Sequence, residues 1–183
     1  MKVAPAEVTD IVMYQIGALE AFCRANGIAM QHVKPHGAMY NMAEKDDKLA
    51  EAICRGIKAV NSDLILLGPG SGKMVKAAKT LGLKTAGEVF ADRAYMEDGT
   101  LVPRSQEGAM ITDEEEAVAR VLEMVQKGTV TAITGKKIEV QADSICVHGD
   151  GQKALLFIQK IRSELEKAGV VIVPMKEVIV GES

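Results

Sequence analysis

Two histidines and their neighbours are the residues of this sequence best suited to proton transfer. His36 lies in the segment Lys34-Pro35-His36-Gly37, and His148 lies in His148-Gly149-Asp150. An imidazole exchanges protons near neutral pH, and a carboxylate such as Asp150 can orient the ring or activate a water molecule. The alternative for each histidine is a loop residue whose ring bonds to a backbone carbonyl. The third histidine, His32, lies inside a predicted strand and is expected to be structural.

Two cations accompany these histidines. Lys34 precedes His36, and Arg93 follows Asp92 directly after another predicted strand. Both cations suit a carboxylate or phosphoryl group, and the guanidinium of Arg93 can bind either through two parallel hydrogen bonds. For Asp92 and Arg93 the alternative is a local salt bridge between the two side chains.

A glycine-rich turn, Gly68-Pro69-Gly70-Ser71-Gly72, leads into a predicted helix. Backbone N–H groups at such a helix start can bind an anion. The turn is not a Walker A motif, because Leu67 stands where that motif needs its first glycine and Met74 follows the lysine. We therefore expect an anion or amide cradle that includes Gly70 and Ser71, with an ordinary strand-to-helix turn as the alternative.

The hydrophobic pattern shows which elements would position these residues. Apolar residues at helical spacing alternate with short, continuous apolar runs, the pattern of parallel β/α units. Thr112 and Glu115 are expected to cap one helix, and the residues expected to face the core include Leu19, Cys23, Leu155 and Ile158. The predicted helices are residues 5–26, 46–61, 73–81, 112–126 and 151–168; the predicted strands are 30–34, 63–67, 84–90, 142–147 and 170–173, with a hairpin over 128–141 that turns at Thr134-Gly135.

The residues suited to chemistry follow predicted strands. In parallel α/β folds the carboxyl ends of the strands point the same way, so Lys34, His36, Asp92 and His148 are expected to surround one pocket. The predicted fold class is α/β, as parallel β/α units of a TIM-like barrel, and an open doubly wound sheet is the alternative. At 183 residues the chain is shorter than the roughly 250 of a complete barrel, so it is expected to be one incomplete barrel domain over residues 1–183.

Composition limits the classes of partner. The 22 basic and 25 acidic residues give a net charge of −3 without long blocks of either sign, so nucleic acid is not an expected partner. The sequence has neither an apolar run of about 18 residues nor a signal-peptide pattern at its start, which predicts no membrane partner and a cytoplasmic protein. Cys23, Cys54 and Cys146 are predicted to be reduced, buried thiols.

Three segments resemble the LamB/YcsF family: residues 32–41, 88–95 and 145–150. The resemblance extends over essentially the whole chain, including Tyr14-Gln15-Ile16-Gly17-Ala18-Leu19 and Asp98-Gly99-Thr100-Leu101-Val102-Pro103-Arg104. It implies a distorted β/α barrel of the glycoside hydrolase and deacetylase kind. It also implies a role as one subunit of an ATP-dependent 5-oxoprolinase that acts with two further subunits.

The implied reaction opens the lactam of 5-oxoproline to L-glutamate and cleaves ATP, as co-substrate and with Mg²⁺ as its usual counter-ion, to ADP and phosphate. No tightly bound cofactor or protein-held metal is expected. In this reaction Lys34 and Arg93 would hold substrate carboxylate or phosphoryl oxygens. His36 and His148 would transfer protons, while Asp92 or Asp150 would orient water or an imidazole.

The sequence also departs from the family pattern. Family members begin with an Asp-Leu-Gly-Glu type segment, then a Gly-Phe-His and a His-Pro segment, and none of these is present. The expected barrel therefore lacks its N-terminal strands, through truncation, fragmentation or a misassigned start, and another chain in an oligomer could complete it. A homo-oligomer is among the expected assemblies. The alternative functions are a metal-dependent deacetylase, with His36, His148 and a nearby aspartate as the available ligands, and a non-catalytic interaction subunit.

Overall fold

The computed structural model describes residues 3–148 and 154–180. The chain divides into two compact units: unit 1 comprises Met1–Ala86 and Met175–Ser183, and unit 2 comprises Gly87–Pro174. The interpretation of the whole chain as one barrel domain stays a prediction. The elements are, in chain order, α1 (Pro5–Ala25), β1 (His32–Val33), α2 (Ala38–Ala43), α3 (Asp47–Val60), β2 (Ile65–Pro69), α4 (Lys73–Thr80), β3 (Lys84–Phe90), α5 (Glu114–Lys127), β4 (Thr129–Thr131), β5 (Lys137–Glu139), β6 (Ser144–Cys146), α6 (Ala154–Lys167) and α7 (Met175–Val180).

Parallel strands form the sheet, in the order β1-β2-β3-β6. In unit 1, β1 pairs with β2, so that His32 lies opposite Ile65. In unit 2, the last residues of β3 pair with β6, so that Phe90 lies opposite Cys146. Apart from this sheet, β4 and β5 form the antiparallel hairpin that the sequence predicted.

In unit 1, α1 packs on α3 through a close backbone approach. A Cβ atom at Gly56 would lie 2.9 Å from the carbonyl oxygen of Thr9 and from Val12, so only glycine fits this crossing. The Thr9 hydroxyl donates a hydrogen bond to the carbonyl of Ala52 at 3.0 Å. Ile53 is fully buried beside this contact. Burial of this apolar face is what fixes α3, whose exposed side is polar.

In unit 2, a close approach at Gly87 sets the position of β6. A Cβ atom there would lie 2.5 Å from the carbonyl oxygen of Gln141. The Asp143 carboxylate accepts a hydrogen bond from the Gly87 amide at 2.6 Å, and the Asp143 amide donates to the Gly87 carbonyl at 2.8 Å. Because the chain is fixed here, the segment after β6 begins at a defined point beside the end of β3.

Several sequence expectations are wrong in detail. Residues 170–173 form no strand, and Val171 is 79% exposed, because none of the strands within residues 3–148 and 154–180 pairs with this apolar run. Helix α5 is capped by Asp113, whose carboxylate accepts from the Glu116 amide at 2.8 Å, rather than by Thr112. Two short helices, α2 and α7, were not predicted.

Some predicted core positions are also wrong, since the apolar stripes of α1 and α6 are wider than their buried faces. Leu19 is exposed, and so are Leu155 and Ile158. Among the cysteines, Cys54 is buried as predicted, whereas Cys23 and Cys146 are half-buried.

Candidate active site

The candidate active site lies in unit 2, at the carboxyl ends of β3 and β6. Phe90 and Cys146 are opposite each other in the parallel register, so the residues two positions beyond them emerge side by side. Those residues are Asp92 and His148, and Asp92 Oδ2 lies 2.6 Å from His148 Nδ1. The structure therefore brings together two of the predicted site residues, and neighbouring strand ends were the signal that predicted them.

The second nitrogen of the His148 ring faces a guanidinium. Arg104 Nη2 lies 3.2 Å from His148 Nε2. A guanidinium has hydrogen-bond donors and no acceptor, so Nε2 must present its lone pair to Arg104. The ring hydrogen is then on Nδ1, which donates to Asp92. The two contacts together orient the ring so that Nε2 is the nitrogen suited to accept a proton.

Aromatic residues form the wall of this site. The Phe90 ring stacks on the His148 ring, with centroids 6.2 Å apart and planes at 22°. The Tyr95 hydroxyl accepts a hydrogen bond from the Phe90 amide at 2.8 Å. Burial raises the pKa of Tyr95 well above its usual range, so the phenol stays protonated at neutral pH. Tyr95 thus fixes the end of β3 and is not suited to act as a base.

Arg93 is placed differently from the sequence-based expectation of an accessible cation. It is only 7% exposed, and its Nη2 donates to the carbonyl of Val102 at 2.6 Å. Burial lowers the pKa of Arg93, and repulsion from the Arg104 guanidinium lowers it further. A direct role of Arg93 in ligand binding stays a prediction, while the exposed cation beside His148 is Arg104.

Arg104 was not predicted as a site residue. The sequence placed it only in the segment Asp98–Arg104, which contributes to the family resemblance. The loop between β3 and α5 is folded back by backbone hydrogen bonds, from Val102 to Ala94 at 3.0 Å and from Ala94 to Ala109 at 3.0 Å. No local spacing in the sequence indicates that this folding places Arg104 at His148.

One oxygen of the candidate dyad remains available. Asp92 Oδ1 is buried and has no hydrogen-bond partner among the residues that the structure describes. A buried acceptor without a partner is costly, and a ligand N–H or O–H could satisfy it. The Asp92 side chain is 15% exposed and that of His148 27%, so the dyad is only partly open to solvent.

The other predicted residues are in unit 1. Lys34 Nζ lies 5.9 Å from the centre of the Tyr40 ring, and His36 is exposed. Gly70 is half-buried and Ser71 is exposed. The roles of these four residues, and their convergence with Asp92 and His148 on one pocket, stay predictions. Asp150 lies outside the described residues.

The predicted anion cradle at the start of α4 already holds a carboxylate of the protein itself. Glu44 accepts hydrogen bonds from the amides of Lys73 at 2.9 Å and Met74 at 3.3 Å. A Cβ atom at Gly72 would lie 2.1 Å from Glu44 Oε2, so the glycine makes room for this carboxylate. Burial raises the pKa of Glu44, against the smaller, opposite effect of the two amides. The amides that bind Glu44 at the helix start are those of Lys73 and Met74, and a ligand cradle that includes Gly70 and Ser71 stays a prediction.

Within residues 3–148 and 154–180, no group of three or more His, Cys, Asp or Glu side chains could hold a metal ion. In the same residues, no helix has both the length and the apolar character that crossing a bilayer requires.

Comparison with known proteins gives the family. The LamB/YcsF family model matches residues 1–180. This chain belongs to the LamB/YcsF family. It is 60% identical over 178 residues to a protein of Clostridium beijerinckii named as the A subunit of 5-oxoprolinase, covering 97% of this chain and 70% of the relative. A protein of the same name from Bacillus subtilis is 49% identical over 177 residues, covering 97% of this chain and 69% of the relative.

A solved structure confirms the fold class. The crystal structure of a lactam utilization protein from Thermus thermophilus is similar with a TM-score of 0.86 and 42% identity. The similarity covers 94% of this chain and 68% of that protein. The predicted α/β class, built from parallel β/α units of a TIM-like barrel, is therefore confirmed for this member of the LamB/YcsF family.

Proposed function

We propose that this chain is one component of an ATP-dependent 5-oxoprolinase, which hydrolyses the lactam of 5-oxoproline to L-glutamate while ATP is cleaved to ADP and phosphate. The observation that carries the proposal is the Asp92–His148 pair, whose Nε2 faces away from Asp92, at the strand ends of a LamB/YcsF protein. Two relatives named as the A subunit of 5-oxoprolinase support it at 60% and 49% identity. The partners are two further subunits, in line with the family resemblance.

The reaction needs both an activated amide and a positioned water molecule. An amide carbonyl is a poor electrophile, and transfer of a phosphoryl group from ATP to its oxygen turns that oxygen into a leaving group. Water then attacks the carbonyl carbon, and His148 Nε2 accepts the proton that this water loses. The C–N bond of the tetrahedral intermediate breaks, and a second water molecule hydrolyses the acyl phosphate that remains to the glutamate carboxylate and phosphate. Asp92 stabilises the resulting imidazolium through the hydrogen bond that already exists at Nδ1.

The remaining residues take the roles that the resemblance implies. Lys34 and Arg93 hold carboxylate or phosphoryl oxygens, and Gly70 and Ser71 contribute backbone donors. His36 serves in a second proton transfer, to the ring nitrogen that leaves when the C–N bond breaks. Asp150 assists in orienting water. Each of these assignments is part of the proposal, and Asp92 with His148 is its best-supported element.

The test is reconstitution with the two further subunits, followed by measurement of glutamate and phosphate released from 5-oxoproline and ATP. We expect His148→Gln to lower kcat by about 10² or more, because general acid–base catalysis contributes on that order. His32→Gln is the matched control, since His32 is exposed on β1 and is given no role.

Two outcomes would contradict the proposal. No ATP-dependent glutamate release from an assembled complex with active partner subunits would end it, and near-normal turnover of the His148→Gln enzyme would remove His148 from the mechanism. Metal analysis of the purified protein tests the deacetylase alternative. Light scattering tests the predicted homo-oligomer and the alternative of a non-catalytic interaction subunit.

A further inference from the structure

Arg104 has a fixed backbone and an exposed side chain. The neighbouring Val102 is fully buried, its amide donates to the Ala94 carbonyl at 3.0 Å, and its carbonyl accepts from Arg93. Pro103 begins a turn in which its carbonyl accepts from the Gln106 amide at 2.9 Å. The loop thus presents the Arg104 guanidinium at His148 without burying it. Such a side chain can change partner while its Cα position is held.

The charges around Arg104 are unbalanced. Arg93 and Arg104 repel each other, which is one cause of the lowered pKa of Arg93. The nearby carboxylate, Asp92, is bonded to His148, and in the described part of the chain no carboxylate forms an ion pair with Arg104. Among the described residues, Arg93 and Arg104 thus place two guanidiniums near the Asp92 carboxylate, an arrangement that favours an anionic ligand.

The hydrogen bond that Arg104 makes to His148 is weaker than the pair of bonds that its guanidinium can make to a carboxylate. A guanidinium bonded to an imidazole nitrogen makes one hydrogen bond, here at 3.2 Å. A carboxylate accepts two parallel, charge-assisted bonds from the same group, which are shorter and stronger. A ligand carboxylate would therefore take the guanidinium from His148.

On the basis of the function proposed above, we propose that Arg104 binds the substrate carboxylate and thereby uncovers His148 Nε2 as the proton acceptor. In the unliganded protein the guanidinium covers the lone pair that general-base catalysis requires. When the carboxylate binds, Nε2 becomes accessible to water, and the Nδ1–Asp92 bond keeps the ring in place. Arg104 therefore selects lactams that carry a carboxylate.

The experiment compares two lactams in the reconstituted enzyme. 5-Oxoproline has a carboxylate, and 2-pyrrolidinone is the same ring without it. The measurements are KM and kcat for 5-oxoproline and the inhibition constant of 2-pyrrolidinone as a competitive inhibitor. They are made for the unsubstituted enzyme, Arg104→Gln, Arg104→Lys and the control Arg162→Gln. Arg162 is a suitable control because it is exposed on α6 and pairs with Glu166 on the same helix.

We expect Arg104→Gln to raise KM for 5-oxoproline on the order of 10- to 100-fold, the usual effect of losing charge-assisted hydrogen bonds. The inhibition constant of 2-pyrrolidinone should stay within about twofold, and kcat at saturation within a few-fold, because Nε2 is uncovered in this variant. The KM of Arg104→Lys for 5-oxoproline should lie between those of the unsubstituted enzyme and Arg104→Gln, since lysine keeps the charge but lacks the planar guanidinium. Arg162→Gln should match the unsubstituted enzyme.

The outcomes separate the two proposals. An unsubstituted complex that releases no glutamate overturns the proposed function, and this inference with it. An active complex in which Arg104→Gln leaves KM for 5-oxoproline unchanged overturns the role of Arg104 alone. The role of Arg104 is also overturned if Arg104→Gln weakens the binding of both lactams equally or lowers only kcat, because substitution of a purely structural arginine would have these effects.

Discussion

At the scale of single residues, His148 depends on the acceptor at its Nδ1. Asp92→Asn would keep the size of the side chain, but its amide group can also donate, which would favour a ring with hydrogen on Nε2. We expect kcat to fall by about 10²–10⁴ with little change in KM, as expected when a base is held in the wrong tautomer. Steady-state kinetics measure this, and ¹⁵N chemical shifts of the His148 ring report the tautomer directly.

The matched control for this variant is Asp98→Asn, in the same loop. Asp98 is exposed and accepts hydrogen bonds from the amide and hydroxyl of Thr100 at 2.9 and 2.7 Å. The Asp98→Asn variant should have a kcat within about twofold of that of the unsubstituted enzyme, because surface substitutions have small effects. If Asp92→Asn turned over as fast as Asp98→Asn, then Asp92 would not orient His148.

The same residues show what sequence can and cannot give. Asp92 and His148 follow apolar runs that were recognisable as parallel strands, so their meeting could be predicted. Arg104 comes from a loop whose path is set by backbone hydrogen bonds among Ala94, Val102 and Ala109. Those bonds depend on tertiary packing, which the spacing of residues in a loop does not encode.

At the scale of elements, the start of α4 depends on Glu44 and Gly72 together. Gly72→Ala would place a Cβ at 2.1 Å from Glu44 Oε2 and displace the carboxylate from the Lys73 and Met74 amides. We expect each of Gly72→Ala and Glu44→Ala to lower the free energy of unfolding by about 1–2 kcal/mol, as loss of a helix cap does. In the Glu44→Ala background, Gly72→Ala should cost almost nothing more.

Denaturant unfolding of the four proteins measures this coupling. Gly17→Ala on α1 is the control, because nothing lies within 4 Å of a Cβ there and alanine favours a helix. It should be neutral or stabilising. If the losses in the free energy of unfolding from Gly72→Ala and Glu44→Ala were strictly additive, Gly72 would not be needed to make room for the Glu44 carboxylate.

The same carboxylate has a predictable pH signature. Burial raises the pKa of Glu44 in the folded state, so the folded protein binds more protons than the unfolded one between the two pKa values. Its contribution to stability is therefore present at low pH and is lost as pH rises through the folded pKa. Relative to Glu44→Gln, which does not titrate, the free energy of unfolding should fall across this window and then level off.

The contacts at the start of α4 also show what the sequence does not predict about an element. The glycine-rich turn predicted a ligand cradle that includes Gly70 and Ser71, whereas the contact that the structure shows at the helix start is with Glu44, a residue 29 positions before Lys73. Likewise, the strand expected over residues 170–173 is absent, because apolar character alone does not supply a pairing partner. Helix α3, by contrast, begins after the Asp46 cap and ends at Val60, close to the predicted bounds.

At the scale of the whole molecule, the periodic elements and their parallel pairing could be predicted, and the width of each buried face could not. The apolar residues of α1 continue from Ile16, which is buried, to Leu19, which is 57% exposed. A hydrophobic stripe shows which face of a helix can be buried, whereas the packing partner decides how much of it is. The division into two compact units is also a property of the packed chain that composition does not reveal.

Alkylation of Cys54 measures how often the folded structure of unit 1 opens. Its thiol is fully buried and donates to the Met74 carbonyl at 3.5 Å. Burial, with smaller effects of Glu44 and Glu51, raises the pKa of Cys54 to about 12. Because the thiolate is the reactive form, the native protein at about pH 8 should alkylate at Cys54 only through opening of the fold.

The other two cysteines serve as internal references for this measurement. Cys23 and Cys146 are half-buried and should react sooner than Cys54. Peptide mapping after timed alkylation, with and without denaturant, measures all three rates. Labelling of native Cys54 as fast as Cys23 would mean that the α3–α4 contact around the thiol is open in solution.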